Sequence, residues 1–221
     1  MISVKNYQAP AVNERECLRY AGCNFKEASV EERQLFEVCL AEVERKLTYK
    51  VCWGRFPVKK DGTKLDLGFA KVDSVGLAKN LEGCEEIILF AATIGLELDR
   101  MIRRYTSLSP AKGLFFQAIG AERIESLCDA FCAEMKEALA AEGKYLKPRF
   151  SPGYGDLPLE LQKDIFRVLD CPRKIGLTLN ESLLMSPTKS VTAIIGIGKE
   201  EYKIDKNKCG ACGKTDCAYR G

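Results

Sequence analysis

The chain has 221 residues, of which 46% are hydrophobic and 29% charged, as expected for a globular protein that can bury a core without disulfides. Its formal net charge of +3 is too small to indicate binding to nucleic acid or to an anionic membrane. The chain contains no histidine. It therefore cannot contain a Ser-His or Cys-His catalytic pair or a histidine zinc site, which excludes most hydrolase mechanisms.

No segment of the sequence predicts export or membrane insertion. Residues 1–11 lack the apolar run of a signal peptide, and the longest apolar run, residues 87–94, is too short to span a bilayer. Eight of the eleven cysteines are scattered singly, mostly among apolar neighbours, where a reduced thiol packs as a small hydrophobic group. We expect a cytoplasmic protein with reduced thiols, because nothing indicates the oxidising compartment that a disulfide framework needs.

The first half of the chain predicts helices and strands in a mixed order. A helix begins at the capping box of residues 29–32, after which apolar residues recur at helical spacing. Residues 49–58 predict a strand that is closed by the turn at residues 60–62. Residues 74–81 predict a short helix, and the apolar run of residues 86–93 predicts a buried strand.

The second half predicts mostly helices. Residues 95–105 are amphipathic, and Ser109-Pro110 is a good start for a long helix from residue 111 to about residue 141. An irregular segment and a helix over residues 159–169 follow. Residues 177–185 and 190–197 then predict two strands that pair with each other. Since helices and strands mix without a repeated β-α-β alternation, the predicted fold class is α+β.

The C-terminal tail, residues 199–221, carries three closely spaced cysteines. Cys209, Cys212 and Cys217 have the spacing C-x2-C-x4-C, which suits a zinc ion or an iron–sulfur cluster. A redox-active dithiol and an inert reduced tail are the other interpretations. A complete tetrahedral site needs a fourth ligand, which could come from Cys171, a partner or solvent.

A loop between two predicted helices has the residues of a ligand site. Arg149 offers a planar fork that matches a carboxylate, and Pro152 pre-sets a turn. Gly153 lets the backbone approach a ligand closely, and Tyr154 can stack on a flat ring or face a sulfonium. An ordinary surface loop is the alternative, because loops are often rich in proline and glycine.

The motifs that follow this loop, taken together with it, indicate a specific protein family. R-x-x-x-G-Y at residues 149–154 precedes Leu169-Asp170, the stretch of residues 175–182, Met185-Ser186-Pro187 and Ser190-Val191. In order and spacing this series resembles the activation domain of cobalamin-dependent methionine synthase, in its stand-alone form. The resemblance implies an α+β domain over residues 1–198 with a mostly antiparallel twisted sheet flanked by helices. Residues 1–48 would form an N-terminal helical subregion, and residues 199–221 the tail.

The resemblance also implies a ligand and the residues that bind it. S-adenosylmethionine would lie in a shallow groove, with its carboxylate on Arg149 and a backbone contact from Ser151. Gly153 would allow a close approach, Tyr154 would shape the loop, and Glu125 would supply an acidic contact from the preceding helix. Two positions depart from the family pattern. Residues 155–158 read Gly-Asp-Leu-Pro where the family has Pro-Ala-Cys-Pro, and the acidic contact aligns near Ser126.

Either Glu125 or Glu122 could supply the acidic contact after a shift in register. A third departure is that the family's N-terminal aspartate and its late tyrosine have no secure counterparts, although Tyr202 is a loose candidate for the tyrosine.

The implied function is reductive methylation of cob(II)alamin, with S-adenosylmethionine as the methyl donor. The partners would be the cobalamin-binding module of methionine synthase, or another corrinoid protein, and a flavodoxin or ferredoxin as electron donor. The alternative is a redox partner of a corrinoid protein that binds a metal or an iron–sulfur cluster through Cys209, Cys212 and Cys217. Neither function involves nucleic acid or a membrane.

Overall fold

The computed structural model describes residues 1–200. Seven helices lie in this range: α1 Glu14–Tyr20, α2 Val30–Val43, α3 Val75–Asn80, α4 Glu97–Leu108, α5 Pro110–Ala140, α6 Leu161–Leu169 and α7 Cys171–Ile175. Its strands are β1 Ser3–Tyr7, β2 Tyr49–Pro57, β3 Lys59–Asp61, β4 Lys64–Asp66, β5 Lys71–Asp73, β6 Cys84–Thr93, β7 Tyr145–Leu146, β8 Thr178–Leu179, β9 Met185–Ser186 and β10 Ser190–Gly198. Among these residues no helix is both long and apolar enough to cross a membrane.

Five strands form the central sheet in the order β1-β2-β6-β10-β7, and every neighbouring pair is antiparallel. The apolar run predicted as a buried strand is β6, which lies at the centre of the sheet. Phe90 in β6 has Trp53 of β2 as its partner on one side and Ala193 of β10 on the other. The α+β class and the mostly antiparallel sheet are thereby confirmed.

The two faces of the sheet are covered by different helices. Because successive strand residues point to opposite faces, Leu89 and Phe90 of β6 belong to two separate core clusters. The cluster around Phe90 contains residues from α1, α2, α4 and α5, whereas the cluster around Leu89 contains residues from α3, α6 and α7. The sheet is therefore the middle of three layers.

The predicted pairing between residues 177–185 and 190–197 is wrong. Strand β10 pairs with β6 and β7, while β8 pairs only with β9 in a separate two-stranded ribbon. Strand β10 is buried along nearly its whole length, which suits a position inside a large sheet. The segment between β8 and β9 instead turns tightly, since Asn180 N donates to Leu184 O at 3.0 Å.

Helix α5 holds a buried ion pair that fastens the N-terminal segment. Arg123 and Glu122 are 0% and 2% exposed, and Arg123 Nε lies 2.6 Å from Glu122 Oε2. Arg123 also donates to the carbonyl oxygens of Pro10, at 2.6 Å, and Ala11, at 2.8 Å. Asn13 N donates to Glu122 Oε1 at 3.1 Å. Arg123 and Glu122 thus both form hydrogen bonds with the backbone of the segment that joins β1 to α1.

Candidate functional site

The loop at residues 149–154 lies at the edge of the central sheet, between β7 and α6. Phe150 forms an isolated bridge with Ile194 of β10, in which each backbone N–H donates to the other residue's carbonyl at 2.9 Å. The Phe150 ring is buried and meets the Tyr154 ring edge to face, with centroids 5.4 Å apart. This bridge fixes the backbone from which the Arg149 side chain extends.

A tight turn gives the second half of the loop its shape. Gly153 has a φ of +83°, its N–H donates to Leu157 O at 2.9 Å, and Tyr154 N donates to Ser151 O at 3.1 Å. A Cβ at Gly153 would lie 3.1 Å from Leu159 Cδ1, so both backbone conformation and space favour glycine. The turn leaves Tyr154 69% exposed beside a partly exposed Ser151.

Arg149 is held by two carboxylates of helix α5. Its Nη2 lies 3.0 Å from Glu125 Oε2 and 2.9 Å from Asp129 Oδ1. The arginine side chain is 26% exposed, against 47% for Glu125 and 73% for Asp129. Nη1 of Arg149 is buried and has no hydrogen-bond partner within residues 1–200. Asp129 was not predicted from the sequence, although its four-residue spacing from Glu125 places both carboxylates on one helix face.

A cavity of about 330 Å³ opens beside this ion-pair cluster. Its lining includes Asp129, Cys132 and Lys136 from α5 and Lys147 and Arg149 from the segment that follows β7. The cavity thus has carboxylate and guanidinium groups at its wall together with the apolar parts of neighbouring side chains. Groups of both charges within one cavity can bind a zwitterion.

The comparisons with known proteins can be set against this geometry. A sequence model described as the vitamin B12 dependent methionine synthase activation domain matches residues 58–218. The chain belongs to this family. The activation domain is also similar to a solved structure described as the MetH reactivation domain bound to AdoHcy, with a TM-score of 0.68 and 18% sequence identity. That match covers 92% of this chain and 80% of the other and supports the fold, whereas a search of curated proteins gave no match.

In this activation domain, residues 155–158, which depart from the family pattern, include Asp156, whose carboxylate is hydrogen-bonded to the start of α3. This set of hydrogen bonds is called the Asp156 latch. Asp156 accepts hydrogen bonds from Ser74 Oγ and Val75 N, both at 2.6 Å, and from Gly76 N at 3.1 Å. These groups form the N-terminus of α3, so a single carboxylate ties the loop to that helix. The Ser74 hydrogen bond, assisted by the two backbone N–H groups, lowers the pKa of Asp156. This role of Asp156 was not predicted from the sequence.

Replacing Asp156 with asparagine is expected to change how the stability of the activation domain depends on pH. The folded-state pKa of Asp156 lies below its unfolded value of 3.8, so its contribution is complete above that value and is lost as the pH falls through the folded-state pKa. Urea unfolding should therefore show that the free energy of unfolding decreases less between neutral and strongly acidic pH for Asp156→Asn than for the wild type. Asp61→Asn, in the exposed β3 strand, is the matched control. If acidification lowers the free energy of unfolding equally in Asp156→Asn and Asp61→Asn, the hydrogen bonds of Asp156 make no net contribution to stability.

Two thiols lie against the Arg149 guanidinium. Burial raises the pKa of Cys132 to about 11 and that of Cys128 well above its usual range, although the positive charge of Arg149 opposes both shifts. Burial of Arg149 would by itself lower its pKa, but the thiols and carboxylates around it together raise that pKa. At neutral pH the site therefore contains a charged guanidinium beside uncharged thiols.

The remaining site predictions have different outcomes. Glu122 is withdrawn as an alternative to Glu125, because it is buried with Arg123 and accepts a hydrogen bond from Ser126 Oγ at 2.6 Å. Cys171 is fully buried on α7, against Cys52. Residues 1–200 contain no group of three or more side chains that could hold a metal. Four predicted residues lie outside the described residues, so their roles stay predictions: Tyr202, Cys209, Cys212 and Cys217.

Proposed function

We propose that this activation domain binds S-adenosylmethionine at residues 149–154 and presents its methyl group to the cobalamin of a partner module. The observation that supports the proposal is the ion-pair cluster of Arg149, Glu125 and Asp129, in which Arg149 and Asp129 line a cavity. The methionine end of the ligand carries a carboxylate and an ammonium group. Arg149 would bind the carboxylate, and the two acidic side chains would bind the ammonium.

The loop supplies the remaining contacts in this proposal. In this proposal the Ser151 backbone contacts the ligand, Gly153 allows a close approach, and Tyr154, which is exposed, lies in the same loop. Asp156 keeps this arrangement in place through α3. Because the ligand would meet a preformed loop, little conformational entropy would be lost on binding.

The proposed reaction is a methyl transfer that needs no acid or base from this chain. One electron from a flavodoxin or ferredoxin reduces cob(II)alamin to cob(I)alamin, which takes the methyl cation from the sulfonium and leaves S-adenosylhomocysteine. The sulfonium is a good leaving group and the reduced cobalt a strong nucleophile, so the chain contributes positioning and exclusion of water. The lack of histidine is therefore compatible with this activity.

Each part of the chain has a place in the proposed function. Residues 1–198 would form one domain, residues 199–221 would form a separate tail, and the protein would act in the cytoplasm. The cobalamin would reside on a methionine synthase module or on a related corrinoid protein.

Binding of S-adenosylmethionine to Arg149→Ala is expected to be at least about thirtyfold weaker than binding to the wild type. Loss of a charged contact that leaves its partner unpaired commonly costs about 2–5 kcal/mol, which corresponds to that factor or more. Isothermal calorimetry measures both affinities directly. Arg167→Ala is the matched control, because Arg167 is 74% exposed and its ion pair with Asp164 lies within α6. Unchanged affinity in a folded Arg149→Ala protein would place the ligand elsewhere.

A further inference from the structure

The small sheet of β3, β4 and β5 has one face made entirely of charged side chains. Successive residues of a strand point to opposite faces, so the first and third residues of these three-residue strands share a face. The middle residues point the other way, where Leu65 is 2% exposed in a core cluster and Lys60 Nζ donates to Ala78 O of α3 at 3.0 Å. The outward-pointing residues, here called the charged face, are Lys59, Asp61, Lys64, Asp66, Lys71 and Asp73.

The strand register arranges the charged face in two rows that run across the strands. Lys59 lies opposite Asp66, which in turn lies opposite Lys71, so the first row reads lysine, aspartate, lysine. The second row has the reverse signs and consists of Asp61, Lys64 and Asp73. Each charge therefore has the opposite charge as its neighbour, both along its row and two residues along its strand.

The charges of this face are not neutralised by salt bridges within the described part of the chain. Asp66 Oδ1 accepts a hydrogen bond from Gly68 N at 3.0 Å, but none of the six side chains forms a salt bridge with another of residues 1–200. A cavity of about 510 Å³ is lined by all three strands, so a partner's side chains have room beside the sheet. The lysines and aspartates are thus available to charged groups from another molecule.

We propose that the charged face binds the same face of a second copy of this chain, around a two-fold axis that crosses the three strands between the two rows. In a two-fold dimer each contact between two different residues occurs twice. This axis places every residue of one row against the residue of the other row that lies on the same strand of the second copy. The pairs, each formed twice, are Lys59 with Asp61, Lys64 with Asp66, and Lys71 with Asp73.

Other occupants of the charged face would meet like charges. An axis parallel to β4 would place Lys59 against Lys71, and Asp66 against the Asp66 of the second copy. A uniformly acidic or uniformly basic partner would be repelled by half of the charged face. Like charges brought together at an interface weaken binding and select against such partners. The alternation therefore favours a second copy in the arrangement that pairs the two rows.

The dimer should be weak and should depend on salt. Neighbouring strands lie about 4.8 Å apart, so three short strands cover much less than the roughly 800 Å² per partner of a stable interface. Exposed ion pairs contribute little individually and are screened by salt. Sedimentation equilibrium at high protein concentration should therefore show association that weakens at least about tenfold between about 0.05 and 0.5 M sodium chloride.

Charge reversal on β5 tests the pairing itself. Lys71→Glu would place a carboxylate against Asp73 of the second copy at both symmetric contacts, and Asp73→Lys would place lysine against lysine. Each variant alone should therefore associate at least about tenfold more weakly than the wild type. An equal mixture of the two variants should associate again, because every carboxylate at these contacts then faces a lysine. Lys163→Glu, exposed on α6, makes the same change of charge outside the face and should associate like the wild type.

The possible results either support or overturn the dimer. A monomer at every salt concentration would overturn it, as would association that both β5 variants retain or that their mixture fails to regain. If a β5 variant does not fold, Lys59→Glu and Asp61→Lys, at exposed positions of β3, provide the same test. The charged face shares no residue with the cavity beside Arg149. Failure of this inference would therefore leave the proposed binding of S-adenosylmethionine unchanged.

Discussion

Replacing Arg123 with methionine is expected to lower the free energy of unfolding by about 3–5 kcal/mol, the usual cost of removing one partner from a buried ion pair. The variant would leave the Glu122 carboxylate without its partner at a site that is 2% exposed. It would also remove the donors to the Pro10 and Ala11 carbonyls. Urea unfolding followed by circular dichroism measures the change.

A matched surface variant shows whether burial causes this loss. Arg100 pairs with Glu97 on α4, where their side chains are 66% and 46% exposed, so Arg100→Met should change stability by no more than about 1 kcal/mol. The double variant Glu122→Gln/Arg123→Met should be more stable than Arg123→Met alone, since it leaves no buried charge. Equal losses for Arg123→Met and Arg100→Met would refute the stabilising role given to the buried pair.

Formation of methylcobalamin is expected only when four components are mixed: this chain, a cob(II)alamin-loaded module, S-adenosylmethionine and a one-electron donor. Arg149→Ala should reduce the rate by at least the factor lost in ligand binding, when the ligand is below saturation. The cobalamin absorption spectrum follows the reaction directly. Because the ligand would lie where the two proteins meet, S-adenosylmethionine and the cobalamin module should each strengthen the other's binding by the same factor.

The controls for this experiment omit one component at a time. Arg167→Ala should support the reaction at the wild-type rate, because its side chain is exposed on α6 and does not line the proposed cavity. If all corrinoid modules from the same organism remain as cob(II)alamin with wild-type protein, the reactivation proposal is wrong. Membership of the family would then indicate common ancestry, and the cysteine tail would be the next segment to study.

The elements that the sequence predicts correctly have strong local signals. The capping box at residues 29–32 is present with both reciprocal hydrogen bonds. Pro110 lies in the first turn of α5, as predicted from the Ser109-Pro110 pair. The strands β2 and β6 were recognisable from apolar runs that are bounded by turns. In each case a short stretch of sequence contains the physical reason for the structure, so no distant contact has to be known.

The missed elements depend on distant contacts. Strand β1 is short and mostly exposed, and it is ordered by pairing with β2, more than forty residues away in sequence. The small sheet of β3, β4 and β5 has three-residue strands of largely charged sequence, which lack a hydrophobic pattern. Strand β10 was recognised, but not its neighbours, since only the assembled sheet brings β6 beside it.

The residues of the candidate site likewise divide into those with a local sequence signal and those that depend on distant contacts. Arg149 and Gly153 could be selected from a motif within six residues, whereas Asp129 became visible only when α5 packed beside the loop. Asp156 was noticed as a departure from a pattern, yet its role depends on α3, which begins 81 residues earlier, at Val75. The motif residues of the proposed site could thus be predicted from the sequence, whereas Asp129 and Asp156, whose contacts join separate elements, could not.

The protonated thiols beside Arg149 have a consequence for the chemical durability of the site. S-adenosylmethionine is an alkylating agent, and a thiolate is the protein nucleophile most able to attack its methyl group. Cys132 lines the cavity proposed for the methionine end, and Cys128 lies next to it. Since burial keeps the pKa of Cys132 at about 11, almost none of it is ionised at neutral pH. A methyl donor bound at the proposed site would therefore lie beside thiols that react slowly with it, so the domain would avoid methylating itself.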